Sequence, residues 1–345
     1  MEKTIVEYVW HDDDYNFRSK TKICDYEVNT LNDVEYWDFD GTSTGQIKCS
    51  TDSSATTTEV TLCPVKLYHD PFRGGNHKIV LCDTYINEIP TKSNKRYEAE
   101  KVLSKNSKKN EPWFGMEQEY FITEVDPSEM DDSYMNGYKE GRHYCGVGHN
   151  RVHHRAVAED HMHACLDAGV NICGINAEVV PGQWEFQIGP SSGIDIGDDV
   201  MMARFLLECV AEEYGVFIVY TPKPFTDFNG SGCHTNFSTK QMREGNEKKN
   251  KPGIKYIMEA IDKLGSNHTK HMKKYGKGNK DRMTGKHETS DYKKFSYGVG
   301  RRDVSVRINS SVAEEGFGYF EDRRPGSNCN PYVVASTLYK TCCVE

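Results

Sequence analysis

The sequence predicts an α+β protein, on three observations. Short alternating apolar and polar runs fill the first quarter of the chain. Strands and helix-periodic segments then mix without the strict βα alternation of a doubly wound parallel sheet. Composition is that of a folded globular chain, with 37% hydrophobic and 28% charged residues, 20 Tyr and 14 Phe among 345. That length suffices for one large domain or two ordinary ones.

In chain order, the runs IVEYVW, VEYWDF, EVTLCPV and HKIVLCD between Thr4 and Tyr85 read as strands separated by Asp, Asn, Gly, Ser and Thr clusters. A Ser/Thr-rich loop from Lys48 to Glu59 interrupts them and is expected to be mobile. Pro90 to Asn94 marks a boundary, giving an N-terminal domain over 1–89 and a second over 90–345. KRYEAEKVLSKN then favours a helix, which Pro112 stops ahead of the strand WFGMEQEYFI. GQWEFQIG, GVFIVYTP, CHTNFST and DVSVRI predict further strands. VHHRAVAEDHMHACLDAG, DDVMMARFLLECVAEEYG and GIKYIMEAIDKLG predict helices, the last two from apolar residues at three- and four-residue spacing. No internal repeat occurs.

Composition also excludes function classes. A formal net charge of −9 repels a polyphosphate backbone, so nucleic acid is not the expected partner. The start, MEKTIVEYVW, has acidic residues and no signal-peptide core, and no 18 consecutive apolar residues occur anywhere; no membrane association is expected, and the location is expected to be cytoplasmic. The 12 cysteines are scattered without a C-x-x-C pair, which predicts reduced thiols, with Cys342 and Cys343 as an exposed oxidation site.

Chemistry enters with paired acids. Glu117 and Glu119 are two apart in MEQEY, so a strand projects both from one face while Met116, Gln118 and Tyr120 project from the other. Glu185 and Gln187 share a face opposite Trp184, Phe186 and Ile188, and Glu178 lies just upstream. Any one of these acids, taken singly, is more simply a strand charge facing water. Together, with His234 as a nitrogen ligand, they suit a hard divalent cation such as Mg²⁺ or Mn²⁺. In CHTNFS the polar row His234, Asn236 and Ser238 suits a nucleotide pocket, although satisfied polar residues on an exposed sheet face look the same. Arginines gather late, at Arg282, Arg301, Arg302, Arg307, Arg323 and Arg324, and guanidinium forks match phosphate and carboxylate oxygens. With no G-x-x-x-x-G-K-[ST] and no G-x-G-x-x-G, any phosphoryl transfer rests on metals and arginines. His149 and His153 are four apart in a histidine-rich stretch, where a solvated or core helix is a simpler reading than zinc.

WDFDGTSTGQ, DPFRGGNHKIVLCD, PWFGMEQEY, NAEVVPGQWEFQIGP, NGSGCHTNFSTKQMRE, RMTGKHETSDYKKFS and YFEDRRPGSNCNP resemble, in order and over nearly the whole chain, the successive signatures of eukaryotic-type (type II) glutamine synthetase. The resemblance implies a small β-grasp-like N-terminal domain and a larger catalytic domain whose antiparallel sheet is packed with helices. It implies an ATP-dependent glutamate–ammonia ligase working through a γ-glutamyl phosphate, in nitrogen metabolism. Glu119, Glu178 and Glu185 would hold one metal, and Glu117, His234 and Glu321 a second that bridges the ATP phosphates. Arg302, Arg307 and Arg323 would face the transferring phosphoryl group or the nucleotide, with Arg323 also reaching substrate. Arg282 and Arg324 would engage glutamate or its phosphorylated form. Trp113, Asn236, Ser238 and Tyr319 match nucleotide-binding positions. Asp40, donated across a subunit interface, would bind ammonium and take its proton, with Glu288 on a closing flap and Glu117 also among the substrate contacts.

A homo-oligomeric ring is implied because Asp40 acts from a neighbour; the family's common assembly is a decamer of two pentamers. The chain departs from the family pattern at Arg301 and Asp303, where Asn and Ser are usual, at Lys286 in the flap, and in a shorter start and tail. Two other readings stand beside the ammonia ligase: a γ-glutamyl ligase for a larger amine, and a non-catalytic relative that keeps the fold.

Overall fold

The computed structural model describes residues 3–48, 58–139 and 141–345 and divides them into two compact units. The first comprises residues up to 98 together with 164–170; the second comprises 99–163 and 171–345. Most of the Ser/Thr-rich loop expected over 48–59 lies outside the described residues.

In the first unit, β1 (Thr4–His11), β2 (Phe17–Cys24), β3 (Trp37–Asp40), β4 (Glu59–His69) and β5 (Lys78–Ile86) form a sheet in the order β2-β1-β5-β4-β3, with the short β6 (Ile89–Pro90) on β5. β1 and β5 run parallel and the other pairs antiparallel. The alternation of IVEYVW places Val6, Tyr8 and Trp10 in a core with Val28, Phe39, Val60, Leu62 and Val80. β2 was not expected from FRSKTKIC, which lacks apolar alternation. It pairs with β1 along its full length as an edge strand and leaves most of its side chains exposed. α1 (Lys95–Leu103) covers the predicted helix and straddles the unit boundary.

In the second unit, α2 (Ser107–Asn110) is followed by a sheet of β7 (Trp113–Thr123), β8 (Ile172–Ala177), β9 (Gln183–Ser192), β10 (Phe217–Val219), β11 (Cys233–Ser238), β12 (Tyr297–Val299), β13 (Val306–Ile308) and β14 (Phe320–Asp322). Its order is β12-β13-β14-β11-β7-β9-β8, with β10 on β7. Every pair is antiparallel, as expected of this sheet, except β12–β13, which is parallel.

α3 (Arg155–Ala168) starts later than predicted, because His153 and His154 belong to the preceding loop. α4 (Asp195–Tyr214) packs on β7 and β9 and is buried over most of its length, as its near-continuous apolar run requires. α5 (Lys240–Glu244), α6 (Gly253–Ser266), α7 (His268–Met272), α8 (Asn279–Arg282), α9 (Ser310–Glu315) and α10 (Pro331–Tyr339) complete the unit.

None of the described helices is long and apolar enough to cross a membrane. Cys342 and Cys343 are partly buried rather than exposed, and burial pushes the Cys343 thiol up to about 12 and that of Cys342 well above its ordinary value, so neither is a ready thiolate.

Candidate active site

Strand alternation builds an acidic chamber in the second unit. β7 turns Glu117 and Glu119 into a cavity of about 180 Å³ and buries Met116, Gln118 and Tyr120 on its other face. β9 adds Glu185, and Glu178 enters from the turn after β8 rather than from a strand. The antiparallel register sets His234 opposite Glu117, and β14 brings Glu321 beside them. His234 Nδ1 lies 3.7 Å from Glu117 Oε2, 3.8 Å from Glu119 Oε1 and 3.5 Å from Glu321 Oε1. Ligand atoms of Glu117, His234 and Glu321 all fall within 4.8 Å of one another.

The electrostatics fit a cation. Burial, then the charge of Glu178, raises Glu119 to about 8; burial, then Glu185, raises Glu178 to about 8. Glu185 is raised well above the usual range by burial, then by Glu117 and Glu119. His234 is held well below its ordinary value by burial, then by Arg323, so its imidazole is neutral and can act as a ligand. Carboxylates drawn out of water and repelling one another are the environment a divalent cation relieves, and an oxygen-rich set with one imidazole suits Mg²⁺ or Mn²⁺. The paired donors are oriented in turn: Gly232 N–H donates to Glu119 Oε2 at 2.8 Å, and Asn236 Nδ2 to Glu117 Oε1 at 2.7 Å.

Arginines form another part of the wall. Arg323 Nη1 donates to Glu321 Oε1 at 2.6 Å and its Nε to the Arg302 carbonyl at 3.1 Å; Arg307 Nη1 donates to Glu321 Oε2 at 3.2 Å. Arg307 Nε is buried with no hydrogen-bond partner among the described residues. Arg302 stands 3.8 Å from Glu288 and beneath the Tyr144 ring at 5.9 Å. Arg282 is buried with Nη2 donating to the carbonyls of Arg323, Arg324 and Pro325 at 3.0, 2.9 and 3.0 Å. Burial lowers it to about 10, with Glu119 opposing that shift, so it stays charged at neutral pH.

A second, mostly apolar cavity of about 430 Å³ adjoins through shared walls at Glu117 and Gln187. Trp113, Asn236, Ser238 and Tyr319 line it, so the CHTNFS row divides between the cavities, His234 serving one, Asn236 and Ser238 the other. Arg243 was not anticipated: its guanidinium covers the Trp113 ring at 3.8 Å and donates to Ser238 Oγ at 3.0 Å.

Not every expected residue arrives. Arg324 is fully buried, holds Asp322 through its Nε and Nη2, and is not among the residues that line the chamber. His149 and His153 lie in a loop, and no metal-holding group includes them among the described residues. Asp40 belongs to the first unit, at the end of β3, where hydrogen bonds from Ser43 and Thr42 hold its exposed carboxylate below the usual range. Glu288 lines the chamber from a turn in which His287 and Glu288 have φ of 51° and 59°. Tyr144, Asn176, Gln183 and Thr289 also line it and were missed. Asn176 carried a signal, two residues before Glu178 and on β8 beside β9.

A model of the glutamine synthetase catalytic domain matches residues 92–277. Glutamine synthetase of Panulirus argus is 47% identical over 98% of this chain and 92% of its own length; that of Saccharomyces cerevisiae is 46% identical over 99% and 90%. Among solved structures, the Plasmodium falciparum glutamine synthetase superposes with a TM-score of 0.75 at 15% identity over 98% of this chain and 71% of its own, and a GmaS/ADP complex with 0.72 at 19% over 98% and 77%. At those identities the superpositions speak to the α+β fold alone. The full-length relatives speak to the chemistry, and make the chain an ATP-dependent carbon–nitrogen ligase. It belongs to the glutamine synthetase family, eukaryotic type, and glutamine is its product.

Proposed function

We propose that the acidic chamber holds two Mg²⁺ or Mn²⁺ ions, one on Glu119, Glu178 and Glu185 and one on Glu117, His234 and Glu321, and that the apolar cavity takes the base of ATP against Trp113 and Tyr319, with Asn236 and Ser238 on its polar edge. The observation that carries this is the Glu117, His234 and Glu321 cluster, within 4.8 Å, beside four arginines. Held by these carboxylates and His234, divalent cations would supply charge neutralisation for the polyphosphate and polarisation of the γ-phosphoryl group.

A carboxylate is a poor acyl donor because its leaving group would be oxide, so the γ-carboxylate of glutamate is first phosphorylated. Arg302, Arg307 and Arg323 surround the transferring group, and Arg307 Nε supplies a donor that has no other partner among the described residues. Arg282, with Arg323, holds the substrate, its fork fixed by three backbone carbonyls. Ammonium must lose a proton before attacking the γ-glutamyl phosphate. Glu288 from the flap and Asp40 from a neighbouring subunit attract the cation and accept that proton, while the flap keeps water from the acyl phosphate. The reading includes a homo-oligomeric ring, with a decamer of two pentamers as its form, working in the cytoplasm.

The test is glutamine formation from glutamate, ammonium and MgATP by the purified protein beside Glu185→Ala. Activity lost in the variant supports the assignment; equal activity in both refutes the cation site. A monomer by light scattering that still turns over would refute the role of Asp40.

A further inference from the structure

We infer that Gln187 and Asn176 are positioning residues of the acidic chamber: their two carboxamides join Glu185 to Glu178 in one hydrogen-bonded chain that fixes where both carboxylates present their oxygens. The inference rests on the cation site proposed above.

Gln187 follows Glu185 by two residues on β9 and therefore shares its face. Its Nε2 donates to Glu185 Oε1 at 2.6 Å and to Asn176 Oδ1 at 3.0 Å, so each amide hydrogen has its own acceptor. Asn176 Nδ2 passes the chain on to Glu178 Oε1 at 3.0 Å, and the other oxygen of Glu178 accepts from Val179 N–H at 3.2 Å. With a cation bound both carboxylates are ionised and only accept, so Asn176 must then turn its nitrogen to Glu178 and its oxygen to Gln187; neither amide can flip in that state without losing a bond.

The backbone makes room for this chain. In the β8–β9 ladder Asn176 faces Glu185 and Gly174 faces Gln187, with a register slip between Ile172 and Gly174. A Cβ on residue 174 would lie 2.5 Å from Gln187 Oε1, so glycine here serves space, since its φ is not positive. The chemistry of the amide matters as well. It donates two hydrogen bonds without carrying charge, so it aims the carboxylates and leaves their negative charge to the cation, where a lysine or arginine would compete for it.

The experiment is Mn²⁺ affinity of the purified full-length protein, read from the paramagnetic resonance of free Mn²⁺ without substrates, with thermal melting of each variant in chelator as the control for folding. Gln187→Leu, Asn176→Ala and Gly174→Ala are each expected to weaken Mn²⁺ binding, the first by about 10- to 100-fold, with melting in chelator close to wild type. Wild-type affinity in Gln187→Leu, while Glu185→Ala loses it, overturns the inference and leaves the cation site standing. Wild-type affinity in Glu185→Ala overturns the cation site itself. Should Gln187→Leu not fold, Asn176→Ala decides by the same criterion.

Discussion

Arg324 closes a two-pronged pair with Asp322, Nε to Oδ1 and Nη2 to Oδ2 both at 2.7 Å, while its neighbour Arg323 faces the opposite way to Glu321 Oε1 at 2.6 Å. The strand alternation of EDRR thus makes two ion pairs on two faces, one in the chamber and one in the core. His268 and His271 turn their Nδ1 atoms to Arg324 at 3.3 and 3.2 Å, and Tyr275 O–H donates to Asp322 at 3.2 Å. The carbonyls that hold Arg282 come from this same stretch.

Removing one member of that pair strands a buried charge. Arg324→Leu is expected to cost about 3–5 kcal/mol in urea unfolding. Arg324→Lys keeps the charge but not the fork, and should fall between. A change under about 1 kcal/mol for the leucine variant would mean that Asp322 finds another partner or a proton.

The chamber cluster predicts a shared loss. His234→Ala and Glu321→Ala are each expected to lower glutamine formation by about 100-fold or more at saturating ATP, with Mn²⁺ affinity reduced alongside. Turnover within threefold of wild type in both variants would remove them from the reaction.

Proton release on metal binding follows from the raised carboxylates. Glu119 and Glu178, held at about 8, carry protons at pH 6.5 that a cation must displace. Mn²⁺ affinity is therefore expected to rise from pH 6.5 to 8, and calorimetry in two buffers of different ionisation enthalpy should report protons released at the lower pH. Heats independent of buffer would show these carboxylates already ionised.

The flap turn predicts a specific defect in ammonium use. Thr289 Oγ1 donates toward the carbonyls of Lys286 at 2.8 Å and Arg282 at 3.1 Å, and accepts from Thr284 N–H at 3.3 Å, tying down the left-handed pair His287 and Glu288. Thr289→Val keeps the shape and loses the hydroxyl. We expect its KM for ammonium to rise about 5- to 10-fold, the equivalent of one hydrogen bond, with KM for ATP little changed and Thr289→Ser near wild type. Equal changes in both constants would point to a general loosening instead.

Much of the site was legible because strand periodicity is local. Glu117 and Glu119, or Glu185 and Gln187, share a face wherever the strand goes, and an acid pair between bulky apolar residues already points to a cation. β2 was illegible for the opposite reason: FRSKTKIC has no apolar alternation, and an edge strand with exposed side chains needs none, since its pairing comes from the backbone of β1. Arg243 gave no signal either, because its place over Trp113 depends on how α5 follows β11.

By itself, the sequence determined the α+β class, the acidic and arginine-rich chemistry, and the family to which both belong, because alternation, residue type and motif order are properties of the chain. Tertiary structure alone decided which face of EDRR meets the chamber, that Arg324 pairs with Asp322 in the core, and that Gln187 and Asn176 link two acids. Those are choices of sheet neighbour and register, and a one-dimensional period of two leaves both faces equivalent until another layer packs against one of them.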